Sequence, residues 1–426
     1  LNQTIKPHGK EWKEGMNGMK YLILVPDGAG DDPIEKLGGK TPLEVASLPV
    51  MNRLASLGEV GTVATIPKGV APGSDAANLS VMGYDPSVYL TGRSPLEAVS
   101  IGIDMEDTDV AFRTNLVTLT GEGDYEDLVI KDHSSGDITT EEADQLIQVV
   151  NQAFADDTIK FYTGTSFRHC MIWHNGATDQ ELTPPHDVLG KGTLDYLPKG
   201  PGSRKIEELM RKSYQLLNFH PINEARRAKG LNPANSLWIW GQGTKPRLSS
   251  FYEKYGINGA AISAVDLIKG IAICAGLRPI EVEGATGTLH TNFEGKAAAA
   301  IQAFQEGDAF IYLHVEGPDE CSHQGDLEGK MKCLEDIDSR ILKPIWQYLE
   351  SQDDAYRILV LPDHKTPIRI RTHSSDPVPF VLYDSSLDKE PEEDRKFHEK
   401  SGAKGSVFDS GYQLADYFFR KNSDVK

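Results

Sequence analysis

Three aspartates and three histidines stand in this 426-residue chain where the ends of buried strands would gather them. Asp27 closes the apolar run Tyr21-Leu-Ile-Leu-Val-Pro. Asp319 follows Phe310-Ile-Tyr-Leu-His-Val-Glu-Gly-Pro, with His323 one helical turn later. Tyr356-Arg-Ile-Leu-Val-Leu-Pro runs into Asp363-His364, and His373 comes after. Carboxylate oxygens and imidazole nitrogens suit Mn²⁺ or Zn²⁺, and this is the inventory of a two-metal site. Taken singly, a DxxxH pair recurs by chance and an Asp-His at a strand end is an ordinary polar turn. Their conjunction with Asp27 and His373 favours metal.

Ser74 follows Pro72-Gly73 and opens a helical pattern through Met82. Free N–H groups at a helix start favour an anion there. The same position suits a plain N-cap, and the local sequence does not choose between cap and nucleophile. Beside a metal pair a serine hydroxyl becomes a phosphoryl acceptor, with Asp75 and Asn78 as supporting polar groups. An anionic substrate calls for cationic forks, and arginine supplies them bidentately. Arg93, Arg113, Arg168 and Arg226 are candidates, joined by His133, His169 and His186. Each alone reads as a solvated surface group; as a set they suit a substrate-binding lid. Lys296 is a candidate partner for a phosphate or leaving oxygen. Cys321, between Asp319 and His323, points off the metal face at that spacing and is incidental.

The elements that must position these groups are short Val/Ile/Leu/Tyr runs, the pattern of strands buried on both faces of a parallel sheet. Open α/β sheets hold ligands at the carboxyl ends of such strands. Further strands are expected at 58–66, 110–119 and within 231–245. Helices are expected after the Thr139-Thr-Glu-Glu142 capping box, over 264–275 and over the amphipathic run 327–349. From about Asp104 the texture changes, and it reverts near Gly256. The expected organisation is therefore a first domain of residues 19–105 and 257–426 interrupted by a smaller α/β lid domain, residues 106–256. Residues 1–18 are polar, lack the apolar centre of a signal peptide, and read as a leader or flexible arm.

Hydrophobic residues make up 39% of the chain and charged residues 25%, ordinary for a soluble globular protein. A net charge of −19 argues against nucleic acid or an anionic membrane surface as partner. It leaves room for a small anion, since bound cations reverse the local sign. Four cysteines without CxxC spacing fit a reducing, cytoplasmic compartment and no structural zinc cluster. No apolar run approaches the ~20 residues of a membrane span. Oligomeric state is not legible.

Together these residues resemble the archaeal-type, 2,3-bisphosphoglycerate-independent phosphoglycerate mutases of the alkaline phosphatase superfamily. The resemblance runs from about Met19 to about Tyr383. It is carried by Val25-Pro-Asp-Gly28, Pro72-Gly-Ser-Asp-Ala-Ala-Asn-Leu79, Tyr89-Leu-Thr-Gly-Arg-Ser-Pro-Leu-Glu-Ala98, Phe167-Arg-His169, Pro185-His-Asp187, Lys296 in its Thr-Asn context, His314-Val-Glu-Gly-Pro-Asp-Glu320 and Thr372-His-Ser-Ser-Asp-Pro-Val-Pro379. It implies an alkaline-phosphatase-like, mainly parallel α/β sheet flanked by helices. It also implies two divalent ions, Mn²⁺ first with Zn²⁺, Co²⁺ or Mg²⁺ as alternatives, and no bisphosphoglycerate cofactor. Asp27, Ser74, Asp363 and His364 would hold one ion, and Asp319, His323 and His373 the other. Ser74 would carry the phosphoryl group between the 3- and 2-positions of a small phosphorylated carboxylate, phosphoglycerate. A homoserine kinase-like branch of the same family shares the motif set, although no GxxxxGK[ST] nucleotide loop is present. A metal-dependent phosphatase would need the same ligands and a looser lid.

Overall fold

The structure, a computed structural model, describes residues 18–419; the leader reading for 1–18 lies outside these apart from Gly18. The chain forms two compact units, one reaching to Ser87 and resuming at Ser249, the other Val88–Leu248. In chain order the strands are β1 (Lys20–Pro26) and β2 (Glu59–Val63) in the first unit. The second unit holds β3 (Asp109–Thr120), β4 (Val129–Asp132), β5 (Ile159–Tyr162), β6 (Arg168–His174) and β7 (Ser236–Thr244). The first unit resumes with β8 (Gly259–Ile262), β9 (Arg278–Ile280), β10 (Phe310–Val315), β11 (Tyr356–Val360), β12 (Val378–Asp384) and β13 (Ser406–Phe408).

The first unit is built on an eight-stranded sheet in the order β13-β2-β12-β11-β1-β10-β8-β9. β1 lies between β10 and β11, parallel to both, with Leu24 level with Leu313 on one side and Val360 on the other. Only β12 runs against its neighbours, pairing antiparallel with β11 and β2. The mainly parallel sheet expected from the sequence is therefore present. Leu22, Leu24, Ile311, Leu313, Ile358 and Val360 share one core with residues from helices Phe293–Glu306 and Leu327–Asp336. On β1 the alternate residues Ile23 and Val25 are equally buried, as a strand covered on both faces requires. Because the three parallel strands are in register, their carboxyl ends finish together. That register brings the aspartate-ended segments to one edge of the sheet.

The amphipathic run 327–349 is two helices, Leu327–Asp336 and Lys343–Glu350, joined by a π turn over Ile337–Leu342. Pro344 has no N–H to give to the preceding turn, which accounts for the break. Ile337, Ile341 and Ile345 still face the core.

The second unit is an antiparallel sheet in which β3 pairs with β4, β6 and β7, and β5 extends β6. Helices Thr140–Phe154 and Ser203–Leu217 bury Leu146, Ile147, Val150, Ile206, Leu209 and Met210 with Phe112, Leu116 and Trp238 of the sheet. Thr139 caps its helix by accepting from Glu142 N, but the Glu142 carboxylate turns to Arg226 and the capping box stays half-made. The unit begins at Val88 and ends at Leu248, wider at the front and shorter at the back than 106–256. The reason is packing. Glu97 of helix Ser94–Ser100 pairs with Arg113 of β3, and Ser94 donates to Gly241 O of β7. Phe251 stacks on Phe310 of the large sheet with centroids 4.7 Å apart. Among the described residues no helix is long and apolar enough to cross a membrane.

Candidate metal centre

Two ligand sets form at the carboxyl edge of the large sheet. Ligand atoms of Asp27, Asp363 and His364 lie within 4.8 Å of one another, and so do those of Asp319, His323 and His373. Asp27 directly follows β1, its backbone N–H bonded to Val315 O of β10 at 3.0 Å. Asp363 and His364 follow β11. Asp319 and His323 lie on helix Gly317–Gln324, one turn apart on the same face. Ring centroids of His364 and His373, one from each set, are 4.1 Å apart, so the sets adjoin.

In the first set His364 Nε2 sits 3.5 Å from both Asp27 Oδ1 and Asp363 Oδ2, and 3.2 Å from Ser74 Oγ. Asp363 is fixed by the N–H groups of Gly28 and His364 on one oxygen and by Asn78 Nδ2, at 2.7 Å, on the other. Tyr312 O–H donates to Asn78 Oδ1 and locks that amide. Ser74 is the first residue of helix Ser74–Val81; the N-cap is Gly73, which makes no side-chain cap. The serine hydroxyl is thus turned to His364 and is not spent on capping. In the second set His323 Nε2 is 3.1 Å from Asp319 Oδ2, and His373 Nε2 is 3.5 Å from Asp319 Oδ1. His323 Nδ1 donates to Arg371 O at 2.9 Å, so Nε2, which faces the centre and Asp319, is the nitrogen that would take a cation in exchange for its proton. Arg371 itself adopts the left-handed conformation, φ 54°, to present that carbonyl.

The electrostatics call for cations. Burial, then the charges of Asp363 and Asp319, pushes the Asp27 carboxyl well above the usual carboxylate range. Burial works against ionisation of Asp319 too, but hydrogen bonds from His323 and His373 hold it well below its ordinary value. The hydrogen bond to Asp319 lifts His323 to about 9. Among the described residues the buried Asp27 Oδ1 has no hydrogen-bond partner, an expensive state for a carboxylate oxygen unless a cation faces it. The oxygen and imidazole donor set fits divalent ions of the Mn²⁺ and Zn²⁺ kind. Gly28 adjoins the site at φ 62°, and a Cβ there would lie 2.6 Å from Asp319 Oδ1, so only glycine fits.

Lys296 is buried on helix Phe293–Glu306, donates to His314 O at 2.9 Å, and is pushed down to about 8 by burial. Cys321 is a buried thiol, pushed up to about 11 by burial, in keeping with an incidental role. The sequence reading assigned no role to His314, Thr366 or Tyr312. His314, wholly buried on β10, has Nε2 3.0 Å from Asp27 Oδ2 and Nδ1 3.3 Å from Ser263 Oγ. Burial pushes it down to about 4, so it is a neutral imidazole. An ionisable residue inside an otherwise apolar strand was the available signal.

Within the second unit, His133, His186 and Arg168 come together. Arg168 lies over Phe167, whose ring is 5.6 Å from His133, and His133 is 6.1 Å from His186. Trp240 completes the group, 5.4 Å from His186 and covered on its face by Arg113. His169 and Arg226 lie instead in the interior. Arg226 donates to Asn232 O, Ser135 O and Glu142, a brace for the loop ahead of helix Thr140–Phe154. His169 accepts Gly164 N–H on Nδ1 and is pushed down to about 4 by burial. Arg93 is exposed, immediately before helix Ser94–Ser100.

Residues 55–223 match the family model described as 2,3-bisphosphoglycerate-independent phosphoglycerate mutase. A Geobacter sulfurreducens protein, described as a probable 2,3-bisphosphoglycerate-independent phosphoglycerate mutase, is 47% identical over 93% of this chain and 99% of its own length. The Methanosarcina barkeri enzyme of that name is 48% identical over 91% of this chain and 96% of its own. Among solved structures, a Pyrococcus horikoshii protein superposes with a TM-score of 0.77 at 30% identity, covering 95% of this chain and 97% of that one. The cofactor-independent phosphoglycerate mutase of Thermoplasma acidophilum gives 0.67 at 25% identity, covering 95% and 99%.

Proposed function

The chain belongs to the 2,3-bisphosphoglycerate-independent phosphoglycerate mutase family, and from that premise we propose that it interconverts 3- and 2-phosphoglycerate through a phosphoserine at Ser74. The observation that carries this reading is the Ser74 hydroxyl, free of capping duty and 3.2 Å from His364 Nε2 beside two clusters of metal-type ligands. Asp27, Asp363, His364 and Ser74 would hold one divalent ion and Asp319, His323 and His373 the other, with Mn²⁺ the first choice. Such ions, when bound, supply positive charge that stabilises the transferring phosphoryl group and makes a nearby hydroxyl more acidic.

The chain's own groups would act as follows. Ser74 Oγ attacks phosphorus in line, forming the Oγ–P bond as the bond from phosphorus to the 3-oxygen breaks. The proton lost by Ser74 is matched by the one the departing glycerate oxygen takes up. The glycerate then presents its 2-hydroxyl, which takes the phosphoryl group back and restores Ser74. Ser74 stands at the N-terminus of helix Ser74–Val81, where the helix dipole favours the anionic phosphoserine. The Lys296 ammonium is the proposed partner of a phosphoryl or leaving oxygen. Arg168, with the imidazoles of His133 and His186, is proposed to hold the glycerate carboxylate while it turns, giving the second unit the substrate-binding role. Water must be kept from the phosphoserine during that turn, because hydrolysis would convert a mutase into a phosphatase.

The test is a phosphorus NMR assay of the purified protein with Mn²⁺ and 3-phosphoglycerate. Appearance of 2-phosphoglycerate without added bisphosphoglycerate is the expected result. Free phosphate as the sole product would replace the mutase reading with a phosphatase.

A further inference from the structure

We propose that Thr366 is a positioning residue whose hydroxyl sets the tautomer of His364 and aims Asp319, so coupling the two ligand sets. Thr366 is wholly buried. Its Oγ1 bonds to Asp319 Oδ1 and lies 3.2 Å from His364 Nδ1. An ionised carboxylate only accepts, so the single hydroxyl proton is committed to Asp319. The remaining contact is then made by a lone pair of Oγ1, and His364 must carry its proton on Nδ1. That assignment leaves Nε2 unprotonated, the nitrogen that faces Ser74, Asp27 and Asp363. One hydroxyl therefore makes His364 ready to ligate in the first set while orienting a carboxylate of the second.

The backbone of Thr366 is held on both sides to serve this purpose. Its N–H donates to Gly30 O at 3.1 Å, and its carbonyl accepts from Lys330 Nζ at 3.0 Å. Lys330 is fully buried and paired with Asp31 Oδ2 at 2.8 Å, and Asp31 also accepts from Ile368 N–H. The loops after β1 and β11 are thus clasped through one ammonium. A buried ion pair adds little stability over an apolar pair of the same shape, so its use here is geometric. Gly28 belongs to the same device, since a Cβ at that position would lie 2.6 Å from Thr366 Oγ1.

This inference rests on the two-metal reading given above, and the experiment separates the two. Thr366→Val keeps the shape and removes the hydroxyl; Thr366→Ala removes it without added bulk; Thr366→Ser restores it. Metal-free wild type and variants are compared by thermal unfolding, by calorimetric titration with Mn²⁺, and by the visible absorption of the Co²⁺-loaded protein. The valine or alanine variant is expected to fold, to bind Mn²⁺ about 10–100-fold more weakly, and to show an altered Co²⁺ band. The serine variant should recover wild-type affinity and spectrum. Two Mn²⁺ bound with wild-type affinity and an unchanged Co²⁺ band in the hydroxyl-free variants would overturn the inference, as would a serine variant as impaired as they are. A wild-type protein that takes up no Mn²⁺ would instead overturn the two-metal reading itself.

Discussion

His323 Nε2 and His373 Nε2 face each other at 3.0 Å, with Asp319 beneath both. With His323 Nδ1–H given to Arg371 O, Nε2 is the nitrogen a bound cation would take, displacing the proton shared with Asp319. Removing that imidazole takes away one of the three donors of the second set and leaves Asp27, Asp363 and His364 intact. We expect His323→Ala to lower bound Mn²⁺ from two ions per chain to one at limiting metal. Elemental analysis of the dialysed protein checks this, and an unchanged stoichiometry would remove His323 from the ligand set.

Ser74→Ala is expected to abolish mutase turnover, because no other hydroxyl is placed at the start of that helix to store the phosphoryl group. The N-cap is Gly73, so the fold loses no capping bond and unfolding should shift little. The checks are the NMR assay and acid-stable phosphoserine on the intact protein. Mutase turnover surviving in the variant would exclude the phosphoserine route.

Much of this centre was legible because parallel strands in register end together. Once Tyr21–Pro26, Phe310–Val315 and Tyr356–Val360 were recognised as buried strands, Asp27, Asp319 and Asp363 had to approach one edge. Other features depended on distances that no local pattern encodes. The hydroxyl of Thr366 matters only because Gly28 lets it approach Asp319. His314 contacts Asp27 across the β1–β10 pairing. Arg226 looked like a substrate ligand by type, yet its Nε, Nη1 and Nη2 each donate within the unit, to Asn232, Glu142 and Ser135. Residue type announced the charge in each case, and the packing decided its use.

The Lys296 amine, pushed down to about 8 by burial, titrates inside the working range of an assay. If its ammonium steadies a phosphoryl or leaving oxygen, activity should hold below that value and fall as pH rises through it. Lys296→Met removes the charge at every pH and should lower kcat about 10²–10³-fold, the usual cost of one such donor. The basic limb should vanish with it. A pH–rate profile with the same basic limb in the variant would assign that limb to another group.

Asp338 caps a helix from a distance, accepting Met51 N–H at 2.7 Å and Val50 N–H at 3.1 Å at the start of helix Pro49–Leu57. Burial nevertheless pushes its carboxyl up to about 6, the two amides opposing. A folded pKa above the unfolded one, roughly 3.9, means the folded state binds this proton more tightly. Its contribution to stability is fully present below the unfolded value and is lost as pH rises through about 6. In the metal-free protein, Asp338→Asn should therefore remove a falling component of stability between about pH 4 and pH 6. Urea unfolding of both proteins across that range measures it. Asp338→Ala, which strands both N–H groups, should cost about 1–3 kcal/mol at neutral pH. An asparagine variant whose pH dependence parallels wild type would show that Asp338 does not titrate in this window.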